Sequence, residues 1–125
     1  MPSITEPKNL GDLLKYEAPN LYSRDRVTVA SGQTLALGTV VGVVTATSKL
    51  KALDPAATDG TEIARGVIAN DVDAALADRD DGLLIARHAL VARTALVWPS
   101  GITAELKAAA EAQLKAIGIL VRDAA

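Results

Sequence analysis

Apolar residues along this chain fall into short runs separated by clusters of Gly, Pro and Asp, and from Arg26 onward the runs read as strands: VTVASG, then LALGTVVGVVTAT, with Gly32, Gly38 and Gly42 as punctuation. Branched side chains suit a pleated surface, and Gly within such a run marks a bulge, a bend or a close backbone approach. The pattern therefore predicts a curved, barrel-like sheet. KLKAL alternates until Asp54 and Pro55 end it, and ARGVIANDV supplies a further strand. Between them DPAATDGTE is turn chemistry throughout: Pro fixes φ, Asp caps its own backbone, and Gly60 takes a positive φ. LADRDDG predicts a second polar loop, and LLIARHALVARTALVW is long enough for two strands.

One helix has both its ends marked. Thr103 is a good N-cap, Glu105 puts an acid in the first turn where the macrodipole favours it, and Gly118 suits the C-terminal cap. Leu106, Ala109, Ala110, Leu114 and Ile117 share a face, opposite the charged stripe of Lys107, Glu111 and Lys115, so one side of the helix packs on a sheet. The chain closes on a short strand, IGILVR. Trp98 precedes Pro99 and is expected to be extended, plugging the joint where strand meets helix. The fold class expected is α+β and β-rich: a small curved or barrel-like sheet with one helix in the C-terminal half.

Residues 1–24 follow neither period. They carry Pro2, Pro7 and Pro19, both tyrosines and scattered leucines. This predicts an extended N-terminal arm before a core of residues 25–125, the other reading being a packed strand or a single helical turn near residues 10–15. Ile4, Leu10, Leu13, Leu14, Tyr16, Leu21 and Tyr22 are apolar enough for the arm to want a partner surface.

Composition narrows the partners. At 125 residues the chain fits one domain, and with half its residues hydrophobic but only Tyr16, Tyr22 and Trp98 aromatic, its core must be Ala, Val, Leu and Ile. A formal charge of -2 gives no basic excess for phosphates and so few aromatics give no platform for bases, so no nucleic-acid partner is expected. No run of apolar residues is long enough to span a bilayer, and no membrane partner is expected. The absence of Cys excludes disulfides, thiolate catalysis and Cys-ligated zinc.

The remaining candidate chemistry is thin. Asp71, Asp73, Asp78, Asp80 and Asp81 are potential oxygen ligands, but an EF-hand-like loop needs Gly at its sixth position and Glu at its twelfth, whereas counting from Asp78 Gly82 is fifth and Ala89 twelfth. His88 is the one histidine and has no marked nucleophile to serve, and an interface or half-buried role suits it better. Neither phosphate-binding glycine motif occurs. Lys49 and Lys51 raise the alternative of a lysine-modified carrier domain, although the alternation in KLKAL puts both on the solvent face of a strand. Enzymatic activity, catalytic residues, metals and cofactors are accordingly not expected. Because LLIARHALVARTALV holds more apolar surface than one sheet face needs, Leu84, Ile85, His88, Leu90 and Val91 are candidates for a subunit contact.

The order of segments is itself informative. Asp59, Gly60 and Thr61; then Ala64, Gly66, Val67 and Ile68; then Leu96, Trp98 and Pro99; then Gly118, Ile119 and Val121 resemble, in sequence and spacing, the lambda-type bacteriophage head decoration proteins over residues 26–125. Gly60, Gly66, Trp98, Pro99 and Gly118 would be its structural positions. The resemblance implies a homotrimer on the outer surface of the virion, made in the host cytoplasm, binding the major capsid protein at local three-fold axes of the expanded head. There it would stabilise the shell against packaged DNA. The alternative is another trimeric, β-rich binding module.

Overall fold

In the computed structural model, which describes residues 10–17 and 23–123, the chain runs α1 (Leu10–Leu13), β1 (Leu14–Glu17), β2 (Arg24–Val29), β3 (Gln33–Leu35), β4 (Val40–Val43), β5 (Leu50–Ala52), β6 (Gly66–Ile68), β7 (Val72–Ala74), β8 (Arg79–Ile85), β9 (Ala89–Ala92), a 3₁₀ turn (Arg93–Ala95), α2 (Ala104–Ala116) and β10 (Ile119–Arg122). Five strands close a barrel in the order β2-β5-β4-β6-β8. All its pairings are antiparallel except β2 with β5, where Val29 lies opposite Leu50. β3 and β7 form a separate antiparallel ribbon, and β1-β9-β10 form a second sheet in which β9 is central, antiparallel to β1 and parallel to β10. This is the β-rich, barrel-like α+β fold that the pattern predicts.

Two apolar cores explain the runs. One gathers Val29, Val41, Leu50, Ile68 and Leu84, a residue from each barrel strand, together with Leu35, Val72 and Ala74 of the ribbon. The other gathers Val40, Val67 and Ile85 with Leu13, Ala89, Val91, Ala92, Ala110, Leu114 and Ile119. Successive side chains on a strand point to opposite faces, so each of the pairs Val40/Val41, Val67/Ile68 and Leu84/Ile85 sends one residue to each core. β4, β6 and β8 thus form a wall buried on both sides, which continuous rather than alternating apolar text describes.

The helix ends stand where the sequence puts them. The Thr103 hydroxyl accepts from the Leu106 N–H at 3.2 Å, and Gly118 has φ of 87° beyond the last turn. The buried stripe is narrower than expected. Ala110 and Leu114 are buried, but Leu106 is 42 % exposed and Ala109 is in water. The first turn of α2 overhangs the core, and Leu106 instead lines a shallow cleft with Pro55, Pro99 and Ile102. Trp98 is partly buried and packs on the core beneath α2, while neighbouring Val97 is stitched to the barrel by its N–H to the Gly38 carbonyl at 2.8 Å. β8 begins at Arg79, four residues before the apolar run, because the loop predicted at LADRDDG supplies backbone to the β2 ladder, with Arg79 opposite Val29 and Gly82 opposite Val27. Backbone pairing is indifferent to polarity where a strand reaches into water.

Gly66 shows how closely the wall is fitted: a Cβ there would stand 2.6 Å from the carbonyl oxygen of Ile85 and 2.7 Å from a methyl of Leu84. Gly66→Ala is expected to destabilise the fold by about 1–3 kcal/mol, as overpacking of a fitted core does. Urea unfolding of the two proteins measures it, and equal stability would show that the wall can yield.

Candidate functional site

The segment read as an arm divides. Residues 10–17 belong to the fold: Leu13 is fully buried in the core beneath α2, Leu10 and Leu14 pack against that core, and β1 pairs with β9. An isolated helical turn followed by a strand escapes periodicity because neither is long enough to show one. Glu17 then ties β1 to β2, its carboxylate accepting from Arg24 Nε at 2.8 Å and Nη2 at 2.6 Å, which raises the Arg24 pKa. Tyr16 is different. It is 60 % exposed, beside the edge of the sheet, and it shares a shallow cleft with Leu10, Leu14 and Lys15. Ile4, Leu21 and Tyr22 lie outside the described residues.

The candidates for a subunit contact divide in the same way. Leu84, Ile85 and Val91 are buried within the single chain, and Leu90 is partly buried. Ile85 and Val91 are taken up by the core beneath α2 and Leu84 by the barrel interior, which leaves little of the apolar surplus that pointed to them. His88 is exposed, on the turn between β8 and β9 rather than within a strand, with φ of 49°. The buried hydroxyl of Ser23 donates to the His88 carbonyl at 2.8 Å, and Arg87 grips Asp25 through two hydrogen bonds of 3.0 and 2.6 Å, so that turn is fastened to β2.

The acids are occupied with turns. Asp59 Oδ1 accepts from the Thr61 hydroxyl at 2.6 Å and its N–H at 3.1 Å, and Gly60 between them has φ of 109°. Asp54 takes the Ala56 N–H, Asp71 that of Leu37, Asp73 that of Ala75 and Asp78 that of Ser31. Among the described residues no group of three His, Asp or Glu side chains converges as a metal site would. Lys49 reaches Asp78, and Lys51 lies 3.9 Å from Asp59. A carrier lysine standing free at a hairpin tip has no counterpart in either.

What the pattern missed is apolar exposure outside the long runs. Leu76, Ile63 and Leu120 are exposed, Leu76 at the tip of the polar turn before β8. A leucine between two alanines in an otherwise acidic stretch was the available signal.

The surface of this barrel and its second sheet thus presents Tyr16, Ile63, Leu106 and Leu120 in shallow clefts and Leu76 standing clear on its turn, with the acids bound into turns and ion pairs. The chain belongs to the family of bacteriophage lambda head decoration protein D, whose family model matches residues 3–119. It is therefore a capsid decoration protein of the virion, and that family is structural rather than enzymatic. No curated protein matches the chain.

Two outcomes follow from this geometry. Leu13→Ala is expected to cost about 2–5 kcal/mol in thermal or urea unfolding, the range for buried leucines, whereas Tyr16→Ala should leave stability nearly unchanged. Equal, small effects would return residues 10–17 to a free arm. Asp59, whose pKa is lowered first by its bond from the Thr61 hydroxyl, contributes stability that is present above the ordinary aspartate value near ~4 and is lost as pH falls through the depressed folded value. Asp59→Asn removes that titration, so its unfolding midpoint should fall less steeply with acid than the parent's.

Proposed function

We propose that the protein binds as a homotrimer at local three-fold axes on the outer surface of the expanded head, grips the major capsid protein, and so stabilises the shell against the pressure of packaged DNA. The observation that carries this reading is the family match across nearly the whole chain, from residue 3 to residue 119. It takes in the barrel, β1, β9 and α2, reaches the first residue of β10, and includes residues that precede α1.

Attachment runs through the N-terminal segment and the surface it leads into. Leu10, Leu14 and the exposed Tyr16 offer apolar anchors at β1, an edge strand of its sheet, and the N-terminal segment adds Ile4 to the apolar residues of the chain's start. An edge strand presents backbone groups to a partner strand, and side chains beside it confer selectivity. Three such segments on one trimer make each later contact intramolecular, so modest single contacts add to tight attachment.

The test separates attachment from folding. Deleting residues 2–9 spares Leu13 and β1, and is expected to leave thermal unfolding close to the parent's while weakening co-sedimentation with expanded capsids by about two orders of magnitude or more. Full-strength binding by the truncated protein would remove the N-terminal segment from the mechanism. Binding to expanded and unexpanded capsids alike would remove the dependence on expansion.

A further inference from the structure

Leu76 stands at the tip of the turn between β7 and β8 with 99 % of its surface in water, between exposed Ala75 and Ala77. Main-chain groups in the turn are fixed. The Asp73 carboxylate accepts from the Ala75 N–H at 3.1 Å, the Asp78 carboxylate from the Ser31 N–H at 2.7 Å and from the Lys49 ammonium, and the Gly32 N–H donates to the Ala74 carbonyl at 2.8 Å. A side chain carried on such a braced turn gives up little freedom on docking. Residues 71–81 hold Asp71, Asp73, Asp78, Asp80 and Asp81 against Arg79; Lys49 pairs with Asp78 and Arg79 with Asp81, which leaves the segment that carries the knob, its collar, acidic on balance.

A complementary surface exists elsewhere on the same chain. Between the C-terminal half of α2 and β10 lies a cleft of about 300 Å³ whose rim and walls are formed by Ala112, Leu120 and Val121 together with Lys115 and Arg122. Glu111, at the same cleft, is engaged by Arg93 at 3.0 Å, while neither Lys115 nor Arg122 makes an ion pair with a described residue. The rim is cationic where the collar is acidic.

A three-fold ring requires a heterologous contact, in which one patch of each copy meets a different patch of the next. We infer that the Leu76 turn of one copy seats in the α2–β10 cleft of a second copy, with the acidic collar facing Lys115 and Arg122. This rests on the trimer reading and assigns its contact surface. Leu76 is the anchor, and the charges around it set register and are screened by salt.

The experiment is sedimentation equilibrium of the full chain over a range of concentrations, with circular dichroism as the check on folding. Leu76→Ser, at an exposed position, should keep the parent's spectrum and raise the midpoint concentration of trimer formation by about tenfold or more. Asp80 and Arg122 make no side-chain ion pair with a described residue, so Asp80→Lys and Arg122→Glu should each weaken the trimer, and the two combined in one chain should restore it. A trimeric parent whose midpoint is untouched by Leu76→Ser, or a double variant no better than the singles, overturns the docking inference and leaves the trimer standing. A parent that is monomeric both in solution and on capsids overturns the inference and the trimer reading together.

Discussion

Everything in this molecule hangs on a wall of three strands that is apolar on both faces. β4, β6 and β8 supply Val41, Ile68 and Leu84 to the barrel interior and Val40, Val67 and Ile85 to the core beneath α2. Among the described residues, neither core contains a fully buried aromatic ring. Sharing the wall removes six branched side chains from water with a few strand residues, which is how a chain so poor in aromatics buries enough apolar surface. It also makes the two halves interdependent, since a shift of any wall strand by one residue would exchange the side chains of one core for those of the other.

The same sharing decides what was legible in the sequence. Local chemistry was readable wherever one residue fixes one backbone event: Thr103 and Gly118 at the ends of α2, Asp59 and Gly60 in the turn, and Val- and Thr-rich runs for the barrel. What a run is buried against was not readable. Val91 and Ile85 read as apolar surplus available to a partner, because a strand buried on two sides and a strand buried on one side with a spare face have the same local text. β1 was hidden for another reason. Leu14, Tyr16 and Glu17 pair with β9, more than seventy positions away, and no nearby pattern reports a partner at that distance. The acidic start of β8 is the converse case, where pairing with β2 outweighed a composition that favours a loop.

Charge follows a consistent division of labour. Asp54 and Asp73 accept N–H groups within their own turns, Asp71 accepts one from the distant turn at Leu37, and acids gripped by arginine fasten separate segments: Glu17 by Arg24, Asp25 by Arg87, and Glu111 with Asp123 by Arg93. The last of these joins the 3₁₀ turn to both α2 and the end of β10. Exposed pairs of this kind add little individually to stability, but a forked guanidinium bridging two acids fixes orientation.

The placing of β9 between β1 and β10 sets an order of assembly. The barrel needs only residues 24–85 to pair all of its strands, and these leave the ribosome well before β10. β9 gains its parallel neighbour only once residues 119–122 are available, so the second sheet is completed after the barrel's own strands have been made. Ile119 of β10 lies in the core beneath α2, where Val40, Val67 and Ile85 are also buried. A chain lacking residues 119–122 would keep every barrel pairing yet leave that core one wall short, so the barrel and the core beneath α2 draw on different stretches of the sequence.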